Sequence, residues 1–277
     1  MGLNRILLAS LFMLVGVTSS AMAQENSVFD NIRWQKGPCV SSLGNQAEIR
    51  VPAGYVFANA ADTKVLMEAM HNIPTGSEMG FVAPSTLDWF LVFEYSDSGY
   101  IKDDEKSSLD ADAMMKSIKA GNEAGNKEKA KRGWETMEML GWQLPPRYNT
   151  QTHNLEWATK FSAKGDVTVN WNTRLLGRSG VMSVTLVSGE DKLQEILPDH
   201  NALLSGFSSK SGNRYAEFRQ GDKIAKYGLT ALVVGGEAAA AANLGLFKYI
   251  GKFAILIFVA VAAFFKSLWD KITNKKQ

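Results

Sequence analysis

Apolar residues crowd the two ends of this 277-residue chain, and that distribution constrains the fold more than any local motif does: a globular domain has to lie between a short greasy leader and a longer greasy tail. Residues 1–23 have the parts of a secretory signal, with a charge at Arg5, an apolar run over residues 6–17 and small side chains at Ala21 and Ala23 before Gln24. That run is too short to span a bilayer. The tail, residues 228–265, differs. After Lys252 the stretch 253–265 has no charge and no proline, and Lys266, Lys271, Lys275 and Lys276 follow it. A basic cluster beside an apolar run marks the cytoplasmic side. The expected organisation is a signal peptide at 1–23, an exported domain at 24–227, a membrane-anchor region at 228–265 and a basic cytoplasmic tail at 266–277.

One crossing needs about 20 residues, and two arrangements of the anchor region compete. In the first, residues 244–265 form the single span and Lys248 and Lys252 snorkel to the outer interface. In the second, residues 229–247 cross first and the remainder returns, which buries Glu237 near mid-membrane and leaves the lysine-rich tail outside against the positive-inside bias. The single span at 244–265 is favoured. Gly235, Gly236 and the alanines at 238–242 permit close helix contact, so a homo-oligomer or an envelope protein partner is expected in addition to the membrane.

The region 24–227 is long enough for one compact unit. Thirty basic residues against 28 acidic ones leave a net charge of +2, too small for a nucleic-acid binder. Cys39 is the single cysteine, which rules out an internal disulfide and reads as a solvent-shy thiol.

Strands show as alternation. Over 166–176, Val167, Val169, Trp171, Thr173 and Leu175 face one way and Thr168, Asn170, Asn172 and Arg174 the other, the pattern of a sheet with one buried face. Gly177-Arg178-Ser179-Gly180 turns the chain into a return strand at 181–187. Further strands are expected at 46–51, 87–95 and 155–161, the second nearly all apolar and so buried on both faces. Asp62 is suited to cap a helix carrying Leu66, Met67 and Met70. A helical region over 110–140 contains Gly121, Gly125 and Gly133, each unfavourable by about 1 kcal/mol relative to alanine in a helix, so a break between two packed ends is expected. A third helical region, 191–207, contains Pro198. Hairpins with helices between them give an α+β fold with an antiparallel or mixed sheet and flanking helices, joined to a C-terminal transmembrane helix.

Residues 97–112 are acidic and residues 116–132 basic, patches that read as facing solvent or each other. His71, His153 and His200 lie far apart without metal-ligand spacing, no nucleophile elbow or phosphate loop occurs, and so neither metal nor cofactor is expected. The best polar and aromatic constellation is Trp142, Pro145, Pro146, Arg147 and Tyr148 before one strand, with Asn170, Asn172 and Arg174 on the polar face of the next. It reads either as a structural turn or as a ligand or partner surface, because rigid prolines, aromatics and arginine give contact area at little entropic cost.

Several stretches resemble the bacterial DUF2167 family: Val51-Pro52-Ala53-Gly54-Tyr55, Asp97-Ser98-Gly99-Tyr100-Ile101, Gly141-Trp142 with Pro145-Pro146-Arg147-Tyr148, Leu155-Glu156-Trp157-Ala158, Leu175-Leu176-Gly177-Arg178-Ser179-Gly180, Arg214-Tyr215-Ala216-Glu217-Phe218 and Tyr227-Gly228-Leu229. The resemblance implies a membrane-anchored envelope protein of unknown function and brings no catalytic residues with it. The expected role is a binding or assembly module exposed to the periplasm and tethered to the bacterial inner membrane. The rival is an envelope hydrolase or transferase drawing on Asp97, Asp103, Asp104, His153 and Arg174. Convergence of carboxylates, or of a histidine with a carboxylate, in one pocket separates the two.

Overall fold

The computed structural model describes residues 28–235. The signal peptide, the span at 244–265 and the basic tail expected from the sequence lie outside the described residues. Among those described, no helix is long and apolar enough to cross a membrane.

The chain builds an α+β unit on one large antiparallel sheet. Its eight strands are β1 (Gln35–Lys36), β4 (Tyr55–Asn59), β5 (Glu78–Pro84), β6 (Phe90–Ser96), β10 (Val181–Gly189), β9 (Asp166–Leu176), β8 (Asn154–Ala163) and β7 (Glu138–Asn149), in that spatial order. A second sheet holds β11 (Phe207–Ser209), β3 (Ala47–Val51) and β2 (Cys39–Leu43). The helices are α1 (Ala60–Ala69), α2 (Ala111–Lys131), α3 (Leu193–Ser205) and the short α4 (Leu229–Val234).

Alternation in the strands divides the core between two faces. One face of the large sheet, with Phe57, Val82, Leu91, Phe93, Val169, Val184 and Leu186, packs under the small sheet and α3 through Ile49, Val51, Leu193, Ile196 and Leu203; Cys39 is half-buried at its margin. On the opposite face α1 covers one end, where Leu66, Met67 and Met70 meet Phe81, Phe90 and Val92. At the other end α2 and α4 lay Met114, Ile118, Leu229, Leu232 and Val233 on Leu155, Trp157, Phe161 and Val181. Between these two apolar covers the second face is polar.

Strand β9 and the hairpin to β10 follow the expected pattern, with Asn172 opposite Thr185 and Arg174 opposite Ser183. Three details differ from expectation. Asn59, not Asp62, caps α1: its Oδ1 accepts from Ala61 N at 2.9 Å and Asp62 N at 3.1 Å, and Asp62 pairs instead with Arg33 at 3.2 Å. Helix α2 is continuous through Gly121 and Gly125, capped by Asp110, and ends before Gly133, whose φ of 69° turns the chain. The stretch from Glu138 is then a strand rather than a helix end. It pairs with β8 through three irregularities, and Pro145 and Pro146 are tolerated because they fall in the one between Leu144 and Arg147, where neither pairs with β8, on a strand whose other side is the open sheet edge.

Candidate functional site

The polar part of the second face floors a cavity of about 540 Å³. Register builds the floor. Glu94 on β6 lies opposite Ser183 on β10, which lies opposite Arg174 on β9. One step along, Thr185 lies between Val92 and Asn172, and Asn170 follows two residues before Asn172. All of these except Val92 line the cavity. The roof is a stripe on α2, Ile118, Asn122, Gly125, Asn126 and Lys129, at spacings that keep one helix face over the sheet. Ile73 to Thr75 after α1 close one side, and Tyr227 with Leu232, Val233 and Gly235 close another.

The roof is pinned in place. Asn126 Nδ2 donates to Met137 O at 2.7 Å, Met137 N donates to Asn126 Oδ1 at 3.0 Å, and Asn122 Nδ2 donates to the same carbonyl at 3.0 Å. On the floor Thr185 Oγ1 donates to Asn172 Oδ1 at 3.3 Å and Asn172 Nδ2 to Asn170 O at 3.1 Å. An added Cβ at Gly125 would meet nothing within 4 Å, so this part of the roof opens directly on the void.

Charge inside the cavity is incompletely matched. The Glu94 carboxylate accepts from Thr75 Oγ1 at 2.9 Å and from Ser77 Oγ at 3.0 Å. Burial nonetheless pushes its carboxyl up to about 7, the two hydroxyls and Arg174 pulling the other way and Glu78 reinforcing the rise. Arg174 lies over the Trp157 ring, 4.6 Å from its centroid, and burial draws its guanidinium down to about 10, still a cation at neutral pH. Burial also brings the Lys129 ammonium down to about 8, with Glu135 opposing. Arg174 Nη1, Lys129 Nζ and Asn170 Oδ1 are all buried without a hydrogen-bond partner among the described residues. Glu94 and Arg174 stand two strands apart, roughly 9.5 Å between backbones, and each feels the other's charge.

The constellation expected from the sequence is divided by the fold. Asn170, Asn172 and Arg174 come together in the cavity floor, the two asparagines buried and the arginine half-buried rather than on an outer face. The other five, Trp142, Pro145, Pro146, Arg147 and Tyr148, stay outside it. Trp142 Nε1 donates to Ala111 O at 3.3 Å, fastening β7 to the start of α2. Arg147 is exposed and pairs with Glu156 across the β7–β8 ladder at 3.0 Å. The Tyr148 hydroxyl contacts His153 Nδ1 at 3.2 Å, beside the stacked rings of Tyr100 and Tyr215. Of the rival acid–base candidates, Asp97 and Arg174 line the cavity, whereas His153 belongs to that aromatic group and Asp104 faces solvent.

Glu94 and Lys129 were not apparent as site residues in the sequence. Glu94 carries a signal in hindsight, as a carboxylate inside an otherwise apolar strand, and Lys129 shares a helical stripe with Ile118 and Asn122. Their neighbourhood depends on the β6-β10-β9 order, which no local pattern reveals.

The sequence model of a family described as "Protein of unknown function (DUF2167)" matches residues 35–266. Comparison with curated proteins finds no match. Among solved structures, the solution structure of cyanobacterial PsbP (CyanoP) from Synechocystis sp. PCC 6803 is similar at 15% identity and a TM-score of 0.37, over 64% of this chain and 92% of that one. A chain of the Tle4-Tli4 complex is similar at 8% identity and a TM-score of 0.27, over 77% of this chain and 88% of that one. Likenesses this loose carry no argument about function.

Proposed function

The chain belongs to the DUF2167 family, and from that premise we propose that its domain is a small-molecule-binding module of the bacterial envelope, with the cavity between the large sheet and α2 as its site. One observation carries the reading: buried donors and an acceptor, Arg174 Nη1, Lys129 Nζ and Asn170 Oδ1, are left unmatched around a void of about 540 Å³. Leaving such a group unmet costs about 1–3 kcal/mol, and native interiors rarely do so. The volume falls within the roughly 300–1,000 Å³ of small-molecule sites. The leader and the apolar tail support an exported domain tethered to the inner membrane with the cavity on the periplasmic side. Gly235 lines the cavity and the favoured span begins at Leu244, so at most about 30 Å of chain would separate cavity wall and bilayer.

Gly125→Leu tests this reading. The new Cβ meets nothing within 4 Å, the rest of the side chain occupies the cavity that Gly125 lines, and the helix gains from losing a glycine. Full-length protein should bind the fluorescent anionic probe anilinonaphthalene sulfonate, and the leucine variant should keep or raise its melting temperature while losing that binding. Equal binding by the two proteins would place the site elsewhere. The rival hydrolase or transferase reading draws on Glu94 and Asp97 both lining the cavity. It requires release of nitrophenol from nitrophenyl octanoate by the wild type and its loss in Glu94→Gln.

A further inference from the structure

Resting on that cavity reading, we infer that the ligand is an amphiphile whose single anionic head, carboxylate or phosphate, is received by Arg174 and whose apolar body lies against Ile118, Phe161, Leu232 and Val233. The cavity is chemically two-sided. Its floor presents Asn170, Asn172, Ser183, Thr185 and Arg174, whereas Ile118, Phe161, Leu232 and Val233 form one apolar cluster on the α2 and α4 side, beyond Asn122, Asn126 and Lys129 of the roof. A ligand polar throughout would strip water from these apolar walls without replacing it by contact, and one apolar throughout would leave the Arg174 donor unmet.

The sign of the head follows from the charges present. Arg174 and Lys129 both line the cavity, each with a buried nitrogen that has no partner, whereas the Glu94 carboxyl already holds the Thr75 and Ser77 hydroxyls and Asp97 lies at the exposed rim, so an anionic head meets unmatched donors and a cationic head would meet two like charges. Arg174 is already positioned for an anion: its guanidinium carbon is held over the Trp157 ring, 4.6 Å from the centroid, and a guanidinium fork suits two oxygens of a carboxylate or phosphate. The head's place is beside the Arg174 guanidinium, on the floor that Arg174 shares with its neighbours Asn172 and Ser183. There it accepts from Arg174, and the Lys129 charge on the α2 wall adds to the attraction.

Calorimetry on full-length protein in nanodiscs, with empty nanodiscs as the blank, tests this with a matched set: octyl phosphate, octanoate, octan-1-ol, octylammonium and inorganic phosphate. Octyl phosphate and octanoate should bind, each at least tenfold tighter than octan-1-ol and octylammonium, and inorganic phosphate should bind more weakly than octyl phosphate. Arg174→Met keeps an apolar stem against Trp157 and should cost the two anionic compounds roughly tenfold or more while leaving octan-1-ol unchanged. Octan-1-ol binding as tightly as the anions, or an unaffected Arg174→Met, would overturn the head-group assignment but spare the cavity reading. Inorganic phosphate matching octyl phosphate would show that the head alone is recognised and would overturn the amphiphile. If octyl phosphate binds equally well to Gly125→Leu, or nothing in the set binds at all, the cavity reading itself falls.

Discussion

Two buried titratable side chains give the protein opposing responses to pH. Glu94 ionises in water near 4.5 but in the fold only near 7, burial being the main cause. Its neutral form is therefore the one the fold favours: this contribution is whole below 4.5 and is lost as pH rises through about 7. Glu94→Gln keeps an oxygen to accept from Thr75 and Ser77 and removes the charge. The variant should match the wild type near pH 4.5 and exceed it at pH 8 by on the order of 3 kcal/mol in urea unfolding; an equal difference at both pH values would mean that the carboxyl does not titrate in this window. His200, fully buried on the inner face of α3 near Trp171, behaves oppositely. Burial lowers it from 6.5 to about 4, with the neighbouring Asn201 pulling the other way. The stability it permits is present above pH 6.5 and is lost as pH falls through about 4. His200→Leu replaces two unmatched ring nitrogens by a side chain of similar volume. Its thermal stability should exceed that of the wild type, with the lead widening between pH 6.5 and 4. Neither behaviour is visible in sequence, where Glu94 sits in a run read as apolar and His200 reads as one polar residue in a helix.

Elements were legible to the extent that their own residues decide them. Strand β9 announces itself because its two faces meet different environments, the α3 core on one side and the polar floor on the other, so polarity alternates along it. The α2 glycines suggested a break, yet the helix runs through because tertiary contacts hold it: Asn122 and Asn126 bind the backbone of Met137, a residue outside the helix. Strand β7 was hidden by the opposite circumstance. Bulges near Gly141 and Leu144 interrupt its alternation, and two prolines mimic a turn, which only an edge position permits. The Met137 clamp yields a sharp contrast between adjacent residues. Asn126→Ala leaves a buried N–H and a carbonyl short of partners and should cost about 1–3 kcal/mol in urea unfolding, whereas Gly125→Ala, facing open space in a helix interior, should add up to about 1 kcal/mol. If both substitutions shift stability in the same direction, α2 is not held by this clamp.

At the scale of the whole molecule, the cavity is closed by the last part of the described chain. After the second sheet the polypeptide returns beneath the β9–β10 turn, where Arg178 grips Asp222 with two contacts of 2.7 Å, and the Asp222 carboxylate also accepts from Arg219 N at 2.7 Å. Tyr100 then pairs with the following residues, its N donating to Lys223 O at 2.7 Å and its O accepting from Ala225 N at 2.9 Å. Glu105 accepts from Thr230 N at 2.8 Å. This strap delivers α4, with Leu232 and Val233, to the cavity wall. It contributes no strand to the large sheet, so its contacts can be lost without unpairing the floor. The Arg178 guanidinium beside Asp222 holds that carboxyl near 2; the depressed value means a contribution present above about 3.8 and lost as pH falls through about 2. Asp222→Asn removes the charge at every pH. Amide exchange should then quicken over residues 222–234, and octyl phosphate binding should weaken, while protection in β6, β9 and β10 stays as it was. Uniformly faster exchange across the sheet would show instead that strap and sheet open as one unit, and that the cavity cannot be opened from its C-terminal side alone.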